Sequence, residues 1–306
     1  MKKGLRMILT CLILNYNDSD TTINLVKKIS NYKAIDKILI VDNKSTDDSF
    51  NCLKEIEKDN IKVISSDRNG GYGYGNNFGI EYAIKQFRTT HILISNPDVY
   101  FTEETVIALK DAFSRCKDCA IIAPVQVKYG KIFSWKLASN LKIVLSSSMI
   151  VSKIFGEKLT HYKDDYFKNK RECFVDIVSG SLLMINAEIM KRYGMYDEDM
   201  FLYFEEVVLA HKFKESGYKS KLLINEIYQH NHSTSVRKSI KSIVKTKKML
   251  LDNELIFFTK YRKTNALSIT LIKIFFKLSI SEMVMYSLYN NIKSIINMKK
   301  RKGELL

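Results

Sequence analysis

Lys37-Ile38-Leu39-Ile40-Val41-Asp42-Asn43-Lys44-Ser45-Thr46-Asp47-Asp48 joins a continuous apolar run of strand length to a polar turn that opens a helix. A run this apolar is buried on both faces, as the strands of a parallel sheet are. Ser45 or Asp47 can cap the helix that follows, which carries Phe50, Leu53 and Ile56 on one face through Glu57. Toward the N-terminus, Met7 to Asn15 reads as another buried strand, and Asp20 to Asn31 has helical spacing through Ile23, Val26 and Ile29. Toward the C-terminus, short strands are expected over Ile61 to Ile64, His91 to Ser95 and Ala120 to Val127, with a Gly-rich turn and a helix from about Asn76 to Phe87 between the first two. This alternation predicts an α/β unit: a parallel nucleotide-binding sheet flanked by helices on both faces, with a ligand crevice at the carboxyl ends of the strands.

Composition agrees with a folded chain. Of 306 residues 46% are apolar, and 2 Pro and 12 Gly exclude disordered and collagen-like classes. Met1-Lys2-Lys3 ahead of an apolar run imitates a signal peptide, but the run ends in Asn15-Tyr16-Asn17 with no small-residue cleavage site, so it reads as a strand. Five cysteines with one close spacing, Cys116 and Cys119, make no disulfide framework, and a reducing compartment is expected. The net charge of +16 is concentrated. Val236 to Leu306 holds 16 basic and 4 acidic residues, leaving +12 there and +4 in the rest. Two domains follow from this shift: residues 1–235 as the nucleotide-binding unit and 236–306 as a basic, helical, amphipathic extension.

Five places carry chemistry. Asp42 closes a strand at the sheet edge, where its carboxylate can accept hydrogen bonds from a base or ribose; a capped strand-to-helix turn needs the same residues. Asn69 to Asn77, with Gly71, Gly73 and Gly75, is a Gly-rich loop that can approach a diphosphate, although it fits neither a P-loop nor a dinucleotide fingerprint. Asn96-Pro97-Asp98 sets an amide and a carboxylate on a rigid turn after a strand, a ligand set suited to a hard cation bridging phosphates. Phe201-Leu202-Tyr203-Phe204 runs into Glu205-Glu206 at the start of a helix ending near Gly217. Acidic residues there complement the helix dipole, yet an apolar approach raises carboxylate basicity toward that of a general base. His230 and His232 follow the strand Leu222 to Ile227. A further strand region spans Phe174 to Ile185 around Gly180, and the weaker stretch from Lys128 to Arg171, with Trp135, is a candidate acceptor-facing segment.

The order of these elements resembles glycosyltransferase family 2. Asn15-Tyr16-Asn17, Val41-Asp42-Asn43, Asn69 with Gly71 and Asn76, Asn96-Pro97-Asp98-Val99, Gly180-Ser181, Glu205-Glu206 and His230 cover about three quarters of the chain in the family's sequence. The resemblance is greatest to the branch of bacterial rhamnosyltransferases and polysaccharide-assembly enzymes. It implies a GT-A fold and an inverting sugar transfer from a nucleoside diphosphate donor, deoxythymidine diphosphate rhamnose or a uridine diphosphate sugar, to a glycan or lipid-linked acceptor. It further implies that Asn15, Tyr16, Asn17, Asp42, Asn69, Gly71, Asn76, Asn96 and Asp98 bind the donor. Mg²⁺ or Mn²⁺ is implied at Asp98 with His230 or His232, and catalysis by Glu206 assisted by Glu205. The chain departs from the family at Asn96, where a carboxylate is usual, at Glu206 in place of Asp, and at Val208; Lys212 matches the basic residue found in many members.

In the tail, Leu267, Leu271, Ile272, Phe275, Phe276 and Leu278 are interrupted by Lys273 and Lys277, too polar a run to span a bilayer and suited to an anionic membrane surface. A cytoplasmic enzyme held at the inner face of the membrane is expected. The rival is a non-catalytic protein whose tail holds nucleic acid or acidic lipid by charge alone; no base-reading module is visible.

Overall fold

A computed structural model describes residues 6–128, 131–231 and 242–303. His232, a possible metal ligand by sequence, lies outside the described residues. The first four parallel strands are β1 (Leu9–Asn15), β2 (Lys37–Asp42), β3 (Ile61–Ser65) and β4 (His91–Ser95). They are joined through helices α1 (Ser19–Ile29), α2 (Ser49–Lys54) and α3 (Gly71–Phe87). Two-residue β5 (Val99–Tyr100), helix α4 (Glu103–Arg115) and strand β6 (Cys119–Lys128) follow. After short β7 (Lys131–Ile132) and β8 (Ser134–Trp135) come helices α5 (Asn140–Ser147) and α6 (Met149–Phe155). The chain then forms β9 (Glu172–Val175), β10 (Ile177–Val178), β11 (Leu182–Asn186), α7 (Ala187–Tyr193), α8 (Glu205–Glu215) and β12 (Lys219–His230). Helices α9 (Ile243–Ile256) and α10 (Ala266–Gly303) complete the described chain.

The main sheet runs β3-β2-β1-β4-β11-β6-β12-β5. Its central strands are largely apolar because both faces are covered. Leu9, Cys11 and Ile13 point to the side packed by α1 and α4, with Leu25, Ile29, Leu109 and Phe113; Leu12, Leu39 and Val41 point to the side of α3 and α8, with Ile80, Leu209 and Phe213. The expectation of a wholly parallel sheet is corrected. β11 runs antiparallel to both β4 and β6, so Leu182 pairs with Ser95 and the turn before it reaches the carboxyl edge from the opposite direction.

Two local expectations also change. Helix α3 begins at Gly71, five residues earlier than its pattern suggested, and Gly73, Gly75 and Gly79 press it onto Tyr196, Leu14 and Leu12, where an added methyl group would lie under 3 Å from each. Helix α2 starts after Asp48, while Ser45 turns back to Asp42. The end of α8 meets expectation: Gly217 takes φ +78, and the amides of Tyr218 and Gly217 donate to the carbonyls of Phe213 and Lys214, a Schellman stop.

Residues 6–137 and 161–231 form one compact unit, and residues 138–160 and 242–303 a second, helical one. The stretch from 128 to 171 is therefore divided between them. Cys116 and Cys119 are joined by a disulfide at the end of α4, correcting the all-reduced expectation; the turn there holds their Cα atoms 5.4 Å apart. Among the described residues no helix is long and apolar enough to cross a membrane.

Candidate active site

The carboxyl ends of β1, β2 and β4 lie side by side, because Asn15 pairs with Asp42 and Ile13 with Ser95. At the β1–β2 end, Asn15 is fully buried and its amide donates to Asp42 Oδ1 at 2.9 Å, while Thr22 donates to its carbonyl oxygen at 2.8 Å. Asp42 is 1% exposed and also accepts from the Ser45 hydroxyl and the Ser45 amide. Through these bonds Asp42 ties the two strand ends and the following turn together. The groups this end turns outward are Tyr16, Asn17, Lys44 and Thr46. Asn17 is left-handed at φ 51 and exchanges hydrogen bonds with Thr46.

The Gly-rich segment forms the first turns of a helix. Gly71 and Asn76 are buried within α3, and Asn76 donates to the Tyr72 carbonyl. Asn69 braces the helix start, accepting from Asn43 and from the Gly71 amide. This helix end seats the acidic segment. The Tyr72 amide donates to the Phe201 carbonyl at 2.9 Å, and Asn77 holds Tyr196 through two backbone hydrogen bonds. At Gly71, with φ +90, a Cβ would lie 2.1 Å from the Phe201 oxygen. Gly71→Ala is therefore expected to lower stability by about 2 kcal/mol or more, a fall of roughly 4–8 °C in Tm, and to cut turnover by unseating residues 201–204. A variant with the parent melting temperature would show that the loop does not depend on this fit.

Tyr203 and Phe204 both adopt left-handed backbone, at φ 77 and φ 75, immediately before α8. Two such residues in succession are costly for side chains with a Cβ, and they set the direction in which Glu205 and Glu206 leave the helix start. Glu205 is 4% exposed, with Oε1 buried and unpartnered. Glu206 is half-buried and accepts from the Gly180 amide at 3.2 Å. A Cβ on Gly180 would come within 2.5 Å of Glu206 Oε1, so a larger residue there would push the carboxylate end aside. Burial raises the basicity of both carboxyls, and for Glu205 the neighbouring Glu206 charge adds to it. Lys212, two turns along α8, is committed elsewhere, donating to the carbonyls of Gly194 and Met195.

Asp98 meets His230 at the same edge. Pairing of β5 with β12 sets His230 opposite Val99, and His230 Nε2 lies 3.1 Å from Asp98 Oδ1. Behind them runs a buried polar chain: Gln126 Nε2 approaches His230 Nδ1 at 3.4 Å, Ser179 donates to Gln126 Oε1, and Ser181 joins Ser179 and the Tyr228 hydroxyl. Desolvation pushes the Tyr228 phenol up to about 12, opposed by its serine partners and assisted by the charges of Glu206 and Asp98. Asn96 joins this edge through its amide, which donates to Ser181. Tyr72 closes it from α3, donating to the Gly180 carbonyl at 2.8 Å.

One carboxylate oxygen and one imidazole nitrogen 3.1 Å apart are, together with phosphate oxygens, a donor set of the kind that suits Mn²⁺ or Mg²⁺. Among the described residues the only group of three candidate ligands is Cys116, Asp118 and Cys119, whose two sulfurs are bonded to each other. Gln126, Ser179 and Tyr228 carry no motif. Their signal in sequence is slight: polar residues within or beside runs otherwise apolar.

Residues 10–194 match the family described as Glycosyl transferase family 2. A curated relative, the low-salt glycan biosynthesis hexosyltransferase Agl10 of Haloferax volcanii, is 26% identical over 204 residues, 67% of this chain and 61% of the relative's length. An N-acetylglucosaminyl-diphospho-decaprenol L-rhamnosyltransferase of Mycobacterium tuberculosis is 24% identical over 211 residues, 64% of this chain and 67% of that protein. The chain thus matches somewhat under two thirds of the first relative. Among solved structures, mannosyltransferase PcManGT from Pyrobaculum calidifontis, in complex with GDP-Man and Mn²⁺, superposes with a TM-score of 0.57 at 12% identity, covering 92% of this chain and 72% of its own. GalNAc-T7 with UDP, GalNAc and Mn²⁺ gives 0.55 at 12% identity, covering 74% and 44%. The fold is that of the GT-A glycosyltransferases, and with the family match extending over more than half its length the chain belongs to glycosyl transferase family 2.

Proposed function

We propose that this chain transfers a sugar from a nucleoside diphosphate donor to a hydroxyl of a glycan or lipid-linked acceptor, with inversion at the anomeric carbon. The observation that carries the reading is one run of contacts at the sheet edge: Glu206 accepts from Gly180, Ser181 beside it joins Ser179 and Tyr228, Ser179 donates to Gln126, and Gln126 approaches the His230 that pairs with Asp98. Glu206 is the base: it takes the acceptor hydroxyl proton, the freed oxygen attacks the anomeric carbon, and the bond to the diphosphate breaks with its electron pair leaving on the diphosphate. Attack opposite the leaving group inverts the centre. Glu205 stands beside Glu206, closed off from solvent, with its basicity raised by burial and by its neighbour's charge. Asp98 and His230 would hold a divalent cation, which when bound neutralises diphosphate charge. Tyr16 and Asn17, with Asn15 and Asp42 behind them, frame the nucleoside end, and Asn96 stands beside the diphosphate.

The donor we favour is deoxythymidine diphosphate rhamnose, a choice supported by the Mycobacterium relative's name and by the Asn96-Pro97-Asp98-Val99 form. A uridine diphosphate hexose is the alternative, and the Haloferax relative's name supports the hexose. The same Mycobacterium name supports a diphospho-polyprenol acceptor, which would bring the enzyme to a membrane surface, the inner face of the cytoplasmic membrane in our reading. A thermal-shift screen of nucleoside diphosphates with Mn²⁺ or Mg²⁺ tests the donor. Ligand at about 100 times its Kd adds roughly 2.7 kcal/mol of stability, so one base is expected to raise the melting temperature clearly above the others. No shift with any nucleotide, and no transfer from a broad donor panel, would overturn the proposal.

A further inference from the structure

Helix α10 carries two apolar stripes on opposite sides. One is buried inside the helical unit: Ile269, Ile272 and Phe276 are 8%, 8% and 3% exposed, and the Ser279 hydroxyl donates to the Ser147 carbonyl at 2.6 Å. The other is formed by Leu267, Leu271, Ile274, Leu278, Met285 and Tyr289, which are 53–73% exposed. At 3.6 residues per turn these six fall within a narrow sector, about half a turn of the helix from the buried one. A helix that only packed against its own unit would have a polar outer face.

We infer that this outer stripe is a docking face for an anionic lipid bilayer, on which the helix lies in the plane of the interface. Charge selects the occupant. Lys273 and Lys277 are exposed one turn apart beside the stripe. Residues 242–290 contain eight Lys and Arg against three Asp and Glu. Of those acids, Glu254 is buried and Glu282 accepts from the Ser148 hydroxyl and the Met149 amide, which leaves the unit's surface strongly basic. A second copy would set this positive surface against another, whereas anionic headgroups complement it. From Leu267 to Tyr289 the stripe runs roughly 33 Å at 1.5 Å per residue, and an apolar outer face of that length flanked by lysines suits a helix lying flat in the interface. The inference deepens the proposed lipid-linked acceptor reading and rests on it for its biological sense, but its test needs no turnover.

The test is co-sedimentation of the full-length protein with phosphatidylcholine vesicles, with and without phosphatidylglycerol, in the absence of donor and acceptor. The wild type is expected to bind vesicles containing phosphatidylglycerol. The double variant Leu271→Glu/Leu278→Glu should lose at least about tenfold in vesicle affinity at an unchanged melting temperature, and Lys273→Gln/Lys277→Gln about fivefold per lysine. Vesicle affinity unaffected by the glutamates would overturn the proposal, as would failure of the wild type to bind. So would light scattering that finds a dimer which the glutamates convert to monomer, since the stripe would then face a second copy. Sugar transfer to a soluble acceptor, measured in parallel without vesicles, reports separately on the proposed activity.

Discussion

Glu206→Gln is expected to lower kcat by at least about 10² while leaving donor affinity nearly unchanged, because the amide keeps the carboxylate's shape and its contact with the Gly180 amide but cannot accept the acceptor's proton. Glu205→Gln should cost less. Its carboxyl is shut away from solvent and would touch no substrate. If the pair served only to complement the dipole of α8, each substitution would change stability by about 0.3–1 kcal/mol and leave turnover intact; a fully active Glu206→Gln enzyme would therefore remove the base assignment. The pH profile offers an independent check. Burial raises the basicity of Glu206, so the active, ionised form appears only above the ordinary carboxylate range, and kcat should rise with pH through a limb belonging to the coupled pair. The same shift has the opposite sign for stability. A carboxyl with raised basicity in the folded state stabilises most below its unfolded value, and that contribution fades as pH climbs through the folded one. Glu206→Gln should flatten both trends.

The second large effect is expected at the Asp98–His230 pair. Asp98→Ala should abolish stimulation of transfer by Mn²⁺ or Mg²⁺ and reduce turnover by about 10²–10³, the usual scale for losing a group that stabilises developing charge. His230→Gln should lose less, since the carboxylate remains. The melting temperature should respond to the cation only when a nucleoside diphosphate is present, because two protein ligands make a weak site without phosphate oxygens. Tight cation binding to the nucleotide-free protein, or full activity of Asp98→Ala in chelator, would refute the assignment. The pH dependence of Asp98→Ala should still carry the acid limb, which belongs to the glutamates.

Much of this arrangement is legible from the chain alone. The apolar runs at Met7 to Asn15 and Lys37 to Asp42 require strands covered on both faces, and the polar residues that end them fall at one sheet edge by necessity, since parallel strands finish on the same side. Helix α8 and its Gly217 stop follow from local pattern and backbone preference. So does the placing of Glu205 and Glu206 at a helix start.

What the chain does not declare is whatever depends on a partner distant in sequence. β11 reads as a strand, but its antiparallel entry between β4 and β6 is a choice of pairing, and that entry helps bring Gly180 against Glu206. The glycines of α3 read as a phosphate loop, because close helix packing and close ligand approach demand the same missing Cβ. Asp42 reads as a strand-end carboxylate, and its bond to Asn15 depends on the register of the neighbouring strand. Asp98 and His230 are each ordinary until β5 pairs with β12. Local sequence fixes which segments are strands and helices, since burial period and backbone preference act over a few residues; the site is settled by register and side-chain direction, which only long-range packing can set.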